Sequence, residues 1–191
     1  MVNIFRLHND PVVAAQHHCD QHVMSGIHES GLMLSAALRE HADYDHEDFV
    51  SLGIDPDDVY GHSHKGHPLN EWMSKQGNWE WALAYVEALY DEKVHRWGGG
   101  HSTFEDFVSY LPEQVEAFEP GTSRMYCAVN DEVEVESVVV TYRRYYIESK
   151  GGIDGWMDFE KSRDPPEWLI RSDPHYGLEE TNTPEPQPAD D

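Results

Sequence analysis

Residues 10–41, DPVVAAQHHCDQHVMSGIHESGLMLSAALREH, have the pattern of a long helix. Asp10 is a typical N-cap residue, and Pro11 suits the first helical turn because its missing N–H is not needed there. Gly26 and Gly31 lower helix propensity, so we expect a break or kink inside the segment. Apolar residues recur at helical spacing along it: Val12, Ala15, Cys19, Val23, Ile27, Met33, Leu34, Ala37 and Leu38.

Three polar residues fall on one side of this predicted helix. His18, His22 and Glu29 are separated by four and seven residues, which places them within about 40° of one another at 100° per residue. Gly26 lies between His22 and Glu29 on the same side and leaves room for a ligand to approach the carboxylate. Buried polar groups cost free energy unless they are paired, so this face is either a functional site or a satisfied hydrogen-bonded pair. The chain contains 13 histidines, so chance spacing is a competing explanation.

Length and composition indicate one domain. The chain has 191 residues and a mass of 22.0 kDa, which is enough to bury a real core. We assign residues 1–171 to a single helical domain and the acidic, proline-rich residues 172–191 to a disordered tail. No apolar run is as long as a membrane span, and the N-terminus lacks the features of a signal peptide. Two cysteines, Cys19 and Cys127, are typical of a cytoplasmic protein with reduced thiols.

The chain is strongly acidic, with 37 acidic and 13 basic residues and a formal net charge of −24. An acid excess with few lysines resembles the composition of proteins from halophilic archaea and their viruses. Six Trp, ten Tyr and six Phe provide core material, which argues against an acidic disordered protein. The charge disfavours a nucleic-acid partner at ordinary salt, but in molar salt the Debye length falls to about 3 Å and the repulsion is screened. A DNA-binding protein under those conditions must rely on shape, stacking and hydrogen bonds.

The remaining segments favour a mainly α fold. Residues 3–7, NIFRL, predict a short strand or a buried extended arm, and residues 42–61 predict an exposed acidic insertion loop. Residues 69–97 predict a second long helix, which buries Trp72 and Trp79 and ends at a triple glycine. We therefore expect a compact helical domain built on two long helices, with a short extended segment at its N-terminus.

Two further segments favour helix. Residues 102–105, STFE, match a capping box that opens a short helix to Tyr110. Residues 134–149, EVESVVVTYRRYYIES, combine a β-branched run with a helical apolar face, and we favour helix. Arginine with tyrosine in this segment suits phosphate contact plus base stacking, while a helix with tyrosines inside and arginines outside is the alternative. The residues assigned to nucleic-acid contact are Tyr142, Arg143, Arg144 and Tyr146.

A histidine-rich loop, GHSHKGHP (residues 61–68), precedes the second long helix. His64, Lys65 and His67 suit contact with an anion near a helix N-terminus. His62 and His64 have the spacing of a chelating pair, but no cysteine or carboxylate stands at a familiar ligand spacing. We therefore assign neither a metal site nor a cofactor, and a polar surface loop is the alternative explanation.

Several motifs along the chain resemble a family of poorly characterised viral and phage proteins: NIF, HNDP, HCDQHV, HKGHP, YRRYYI and PPEW. A chemically more specific resemblance is carried by DQHVM, residues 20–24, together with Glu29. These residues resemble the phage pyrimidine-dimer DNA glycosylases of the endonuclease V type, in which the corresponding helix carries a catalytic glutamate. The resemblance implies an all-α fold, DNA as the partner and Glu29 as the catalytic carboxylate.

The resemblance also implies a nucleophile. It assigns this role to the α-amine of Val2, exposed when Met1 is removed, which attacks C1′ of a damaged nucleotide and forms a Schiff base. Glu29 would stabilise the sugar cation and handle protons, while His22 and Gln21 would orient Glu29 or the sugar. These assignments define a DNA glycosylase that also cleaves the strand at the abasic site.

The chain departs from that family at several positions. The family has threonine where this chain has Val2, and arginines where this chain has His28 and Leu32. Three alternatives stay open. The first is a viral DNA base-modification enzyme, and the second is a non-enzymatic viral accessory protein. The third is a metal-dependent hydrolase or nucleotide-processing enzyme built on His18, His22 and Glu29 together with the histidine loop at residues 62–67. Substrate binding is further assigned to three residues of the first helix: His18, Gly26 and His28.

Overall fold

A computed structural model describes residues 4–127, 137–150, 158–161 and 163–178. Within these ranges the α-helices are α1 (Pro11–Gln16), α2 (Asp20–His41), α3 (His46–Ser51), α4 (Pro68–Met73), α5 (Gln76–Trp97), α6 (Val138–Arg144) and α7 (Glu167–Ile170). Single π-helical turns cover Thr103–Phe107 and Tyr145–Ser149, and a 3-10 turn covers Val108–Tyr110. The described ranges contain no strand, only a β-bridge between Lys75 and Glu119. The prediction of a mainly α domain built on two long helices is confirmed.

The first predicted helix is two helices. Asp10 caps α1 as predicted, because its Oδ1 accepts the backbone N–H groups of Val12 at 2.8 Å and Val13 at 3.1 Å. The predicted break is present, but it lies at residues 17–19 and not at the glycines. Gly31 lies inside α2, where the missing side chain lets a neighbouring segment pack closely. An added Cβ would lie 2.5 Å from Thr103 Cγ2.

The second predicted helix is also divided, since α4 and α5 are separated by residues 74–75. Trp72 and Trp79 are 3 % and 0 % exposed, which confirms their prediction as core residues. Their indole N–H groups donate to the carbonyls of Ser123 and Pro112, both at 2.9 Å. These two bonds attach the irregular residues 111–127 to the core, because each indole pairs a backbone acceptor that the irregular chain would otherwise leave to water.

The acidic residues 42–61 are more than an exposed loop. Their charged side chains do face solvent, but α3 forms within the segment, with Asp45 and Asp48 completing a capping box at its start. Phe49 and Ile54 are 0 % and 2 % exposed and belong to the core. The prediction of a wholly exposed insertion is therefore wrong for the apolar residues, which dock the segment onto the domain.

The capping box predicted at residues 102–105 does not form. The Ser102 side chain makes no capping hydrogen bond, and the following turn is π-helical. Glu105 instead accepts a hydrogen bond from the Tyr90 hydroxyl of α5 at 2.7 Å. The carboxylate is therefore used to hold this turn against α5 and not to close the start of its own helix.

The N-terminal residues that the structure describes form a buried extended arm. Ile4 and Leu7 are both 0 % exposed and join the same core as α1, α2 and α5. No ladder pairs this arm with another described segment, so of the two predicted forms the extended arm is the one observed. The arm runs against the start of α2, where the polar candidates lie.

A buried network of charges ties three parts of the chain together. Arg96 of α5 pairs with Asp20 of α2 at 2.9 Å and with Glu92 of α5 at 2.7 Å. Arg163 pairs with the same Glu92 through Nε at 2.7 Å and Nη2 at 2.8 Å. Breaking one member of such a network costs about 3–5 kcal/mol because it leaves an uncompensated buried charge. The network fixes the start of α2 against the end of α5.

The domain continues past residue 171, where the tail was predicted to begin. Residues 173–177 form turns, and the carbonyls of Pro174 and Tyr176 accept hydrogen bonds from the buried Arg143 of α6. Residues 179–191, the rest of the predicted tail, lie outside the described residues. Over the part of the chain that is described, none of the helices is apolar and long enough to span a bilayer.

Candidate functional site

A chain of hydrogen bonds lies between α2, α5 and the turn after α6. The Tyr85 hydroxyl and His18 Nε2 are 2.6 Å apart, and His18 Nδ1 and the Tyr146 hydroxyl are also 2.6 Å apart. The same Tyr146 hydroxyl is hydrogen-bonded to His22 Nδ1. His18 lies in the break before α2 and His22 in its first turn, so the break aims both imidazoles at one hydroxyl. We call these four residues the histidine–tyrosine chain.

The N-terminal arm covers one end of this chain. The Phe5 ring is stacked on the His22 ring, with centroids 4.8 Å apart and planes 19° apart. Phe5 also contacts the rings of Tyr145 at 5.9 Å and Tyr146 at 5.5 Å. Phe5 is therefore held next to His22 by aromatic contacts.

Burial makes all four groups of the chain neutral. It lowers the pKa of His18 well below its ordinary value, and the nearby His22 and Arg96 act in the same direction. Burial also lowers the pKa of His22 to about 4, with the Lys150 ammonium as a second cause. Burial raises the pKa of the Tyr85 and Tyr146 hydroxyls well above their ordinary value. Near neutral pH the site thus contains uncharged imidazoles that can either donate or accept a proton.

Glu29 lies two helical turns beyond His22 on α2 and is partly buried. Its charge contributes to the raised pKa of Tyr85, after burial and Tyr142, which places the carboxylate near the α5 end of the chain. A partly buried carboxylate on the helix that also carries His22 combines a group that can carry negative charge with one that can move protons.

Gly26 does not leave the space that was predicted for a ligand. A Cβ at this position would lie 3.1 Å from Leu89 Cδ1, so Leu89 of α5 already occupies the gap. The glycine permits close packing of α2 on α5, and its prediction as a substrate-binding residue is wrong for this reason.

An open depression lies on the exposed side of α2. Its volume is about 570 Å³, and its lining residues are Asp20, Gln21, Met24, Ser25 and Trp97. Trp97 is partly buried and Met24 is 41 % exposed, so an apolar surface is accessible beside the polar side chains of Gln21 and Ser25. Ser25 is one helical turn from Glu29, which makes this depression a neighbour of the candidate carboxylate.

The basic–aromatic cluster of α6 is placed differently from its prediction. Tyr142 and Arg143 are 0 % and 1 % exposed. Arg143 donates to the carbonyls of Leu7 at 2.9 Å and Tyr176 at 2.9 Å, so its guanidinium is used to join the N-terminal arm to the C-terminal turns. Arg144 is partly exposed, 3.9 Å from the Glu148 carboxylate. Tyr142 and Arg143 therefore do not present a nucleic-acid contact surface in this structure.

The histidine-rich loop is held at the far end of α2 by Glu40. Its carboxylate accepts the backbone N–H of Gly66 at 2.7 Å and the Asn70 amide at 3.0 Å, and it lies 3.4 Å from His62 Nε2. His64 and Lys65 are exposed, while His67 caps α4 by accepting the backbone N–H of Leu69 at 3.2 Å. Glu40 is 18 residues from His22, about 27 Å along the helix, so the loop does not join the histidine–tyrosine chain.

His28 is exposed, and its Nδ1 lies 3.4 Å from the Thr103 hydroxyl, apart from the histidine–tyrosine chain. Val2 lies outside the described residues. Among the described residues no group of three or more His, Cys, Asp or Glu side chains has the geometry of a metal site.

Four residues of this region were missed by the sequence analysis: Phe5, Tyr85, Tyr145 and Lys150. The signal for Phe5 was present, since an apolar arm predicted to be buried contains one aromatic residue. Tyr85 looked like an ordinary core residue of α5, because helical spacing does not distinguish a ring that packs from a hydroxyl that bonds. Lys150 lies 5.3 Å from the centre of the Tyr145 ring, a contact between residues that spacing alone did not assign.

Comparisons of the chain with known protein families, with curated proteins and with solved structures gave no match.

Proposed function

We propose that this protein is a DNA-processing enzyme of the glycosylase and abasic-site lyase type, with Glu29 as its catalytic carboxylate. The observation that supports this most directly is the stack of Phe5 on His22, 4.8 Å between ring centres. Glu29 is seven residues beyond His22, about 10 Å along α2. The proposal requires that the amine of residue 2 reach the Glu29 carboxylate.

The proposed chemistry forms and breaks bonds at one sugar carbon. The neutral amine donates its electron pair to form a bond to C1′ as the bond from C1′ to the base breaks. The base leaves with the electron pair of the broken bond and takes up a proton. Ring opening gives an imine, after which loss of a proton from C2′ expels the 3′ phosphate by β-elimination. Glu29 stabilises positive charge on the sugar, and His22 supplies or takes up protons.

The exposed face of α2 is the proposed contact for the nucleotide. Trp97 and Met24 offer an apolar surface for base stacking, and Gln21 and Ser25 offer hydrogen-bonding groups beside it. Binding by stacking and hydrogen bonds suits a chain of net charge −24, which has little phosphate attraction to offer. Because Arg143 is buried, the nearby positive charges available to this proposal are those of Arg144 and Lys150.

The test is covalent trapping with borohydride on a duplex that contains one abasic site, in molar KCl. Protein whose intact mass corresponds to a start at Val2 should give a trapped complex, and Glu29→Gln should lower its yield at least about tenfold. Glu87→Gln, an exposed change on α5, is the matched control and should trap like the wild type. No trapping by the wild type, or equal trapping by Glu29→Gln, would contradict the proposal.

Peptide mapping of the trapped complex identifies the amine. The proposal expects the adduct on the N-terminal peptide. An adduct on the peptide that contains Lys150 would keep the reaction class but replace the nucleophile, because the Lys150 ammonium also acts on His22.

A further inference from the structure

Three hydrogen bonds join the members of the histidine–tyrosine chain in series. Tyr85 bonds His18 Nε2 at 2.6 Å, His18 Nδ1 bonds Tyr146 at 2.6 Å, and Tyr146 bonds His22 Nδ1. Tyr85, His18 and Tyr146 are 1 %, 1 % and 0 % exposed, and His22 is 9 % exposed. Water therefore has little access to Tyr85, His18 and Tyr146. Because His18 and His22 both bond the one Tyr146 hydroxyl, the positions of their protons depend on each other.

The number of protons available for hydrogen bonding in the histidine–tyrosine chain is fixed because all four side chains are uncharged. Each neutral imidazole carries one N–H and one acceptor nitrogen, and each hydroxyl carries one proton and accepts at its oxygen. Burial keeps the pKa of both imidazoles low and the pKa of both hydroxyls high, which supports the neutral count. Three hydrogen bonds must then be made by protons whose positions are mutually dependent.

Two arrangements use the proton of the shared Tyr146 hydroxyl in a hydrogen bond within the chain. In the first, His18 donates from Nε2 to Tyr85, Tyr146 donates to His18 Nδ1, and His22 must donate from Nδ1 to Tyr146. In the second, Tyr85 donates to His18 Nε2, His18 donates from Nδ1 to Tyr146, and Tyr146 donates to His22 Nδ1. A third, in which both imidazoles donate to Tyr146, leaves the buried hydroxyl proton without an acceptor in the chain and is penalised.

We infer that Tyr146 locks the tautomers of His18 and His22 in opposite senses, so that Tyr85 controls from three hydrogen bonds away which nitrogen of His22 carries its proton. When His18 is protonated on Nε2, His22 is protonated on Nδ1. When His18 is protonated on Nδ1, His22 is protonated on Nε2. Tyr85 and Tyr146 are positioning residues in this scheme, since they act on His22 and not on a substrate.

The consequence for chemistry rests on the proposed function. His22 Nε2 is the ring nitrogen that does not bond Tyr146. In the first arrangement Nε2 is a base and in the second it is an acid, so the chain decides which role His22 can take toward a bound nucleotide. A residue of α5 thereby sets the proton state of a residue of α2, although the two side chains share no hydrogen bond.

The experiment reads the tautomers directly, in protein without DNA. Protein with ¹⁵N-labelled histidine is studied by NMR at neutral pH, and the two ring nitrogens of His18 and His22 are assigned with single His→Asn variants. The inference expects opposite tautomers in the wild type. The same tautomer at both positions would overturn it.

Two tyrosine variants separate a specific role from a structural one. Tyr85→Phe removes both a donor and an acceptor for His18 Nε2, so the His18 tautomer ratio should change. The His22 ratio should then shift in the opposite sense by at least about fivefold. Tyr145→Phe, a neighbouring ring in contact with Phe5, is the matched control and should leave both ratios unchanged. A His22 ratio that stays constant in a folded Tyr85→Phe protein would overturn the inference.

The outcome is independent of the proposed function. Locked tautomers in a protein that traps no DNA would retain the inference and remove the enzyme proposal. Covalent trapping of DNA by a protein in which the His18 and His22 tautomers vary independently would retain the enzyme proposal and remove the inference. If Tyr85→Phe does not fold, the wild-type tautomers alone still decide, since the coupling requires them to be opposite.

Discussion

The two ends of α2 use histidine in different ways. At its start, His18 and His22 are buried and share one tyrosine hydroxyl. At its end, the exposed His62 and the partly buried His41 lie around the carboxylate of Glu40, at 3.4 Å and 3.9 Å. The histidines at the start of α2 bond a neutral hydroxyl and have little contact with solvent, while those at its end lie beside a charged carboxylate at the surface. The difference teaches that the chemistry of a histidine cluster is set by what the rings bond to and not by their number or spacing.

Lowering the pH should separate the two ends most clearly. Burial lowers the pKa of His17 and His22 to about 4 and the pKa of His18 well below its ordinary value, whereas histidine in the unfolded chain titrates at 6.5. Below pH 6.5 the unfolded chain binds protons that the folded chain does not, so the free energy of unfolding decreases as the pH is lowered. We expect a loss of about 3 kcal/mol between pH 6.5 and about pH 5.5, measured by denaturant unfolding in molar KCl.

Single histidine variants test whether the pH dependence of the free energy of unfolding comes from the histidines at the start of α2. His22→Asn should reduce the pH-dependent loss by about a third, because one of three buried imidazoles is removed. His67→Asn, in the loop at the other end, should change it less, since Glu40 opposes the lowering of the His67 pKa by burial and by His64. A slope that is the same in His22→Asn as in the wild type would contradict the assignment.

Removing the shared hydroxyl should have the next largest effect. Tyr146→Phe leaves nitrogens of two buried imidazoles without their partner, and we expect a loss of about 2–3 kcal/mol in the free energy of unfolding at neutral pH. Tyr145→Phe is the control on the adjacent, partly exposed residue and should cost less than about 1 kcal/mol. Equal costs would mean that the hydroxyl of Tyr146 is not the centre of the chain.

A change at the other end of α2 should be milder and local. Glu40→Gln keeps one acceptor oxygen but loses the charge that binds the Gly66 N–H and faces His62, so we expect a cost of about 1 kcal/mol. Amide exchange in residues 61–67 should become faster, and exchange around His22 should not change. The control is Glu87→Gln on the exposed face of α5. Faster exchange at both ends of α2 would show that the ends are coupled.

An effect as small as that of Glu40→Gln is expected from the N-terminal arm that covers the histidine–tyrosine chain. Phe5→Leu removes the stack on His22 and should cost about 1 kcal/mol and shift the His22 ring signals in NMR spectra. Phe104→Leu removes a comparable stack on Tyr90, with centres 4.3 Å apart, at a site away from His22. It should cost a similar amount without moving the His22 signals. Matching shifts in both variants would contradict a local role for Phe5.

Much of the fold could be predicted from sequence because it depends on local signals. The cap at Asp10 and the burial of Trp72 and Trp79 follow from capping chemistry and helical spacing, and the structure confirms them. The exact break before α2 could not be predicted, since Gly26 and Gly31 are used for close packing instead. Whether a glycine ends a helix or admits a neighbour depends on the neighbour, which local sequence does not contain.

The candidate site could be predicted only in part. Helical spacing placed His18 and His22 on one side of a single helix, whereas His18 lies in the break before α2. Both bond Tyr146, which is more than 120 residues away in sequence, and no periodicity links it to them. Arg143 shows the same limit, because an arginine beside tyrosines suggested an exposed contact and its guanidinium instead binds backbone carbonyls. Contacts between distant segments decide which polar residues become buried, and those contacts arise only in the folded chain.

The most direct measurement is the ring ¹⁵N spectrum of the histidines at pH 6 in molar KCl, with His18 and His22 assigned by substitution. A buried neutral chain predicts two well-separated ring nitrogens for each residue, one protonated and one not, and no imidazolium form of either. Imidazolium signals from His18 or His22 at that pH would contradict the account, because a charged ring cannot take part in the neutral bonding that joins Tyr85 to His22.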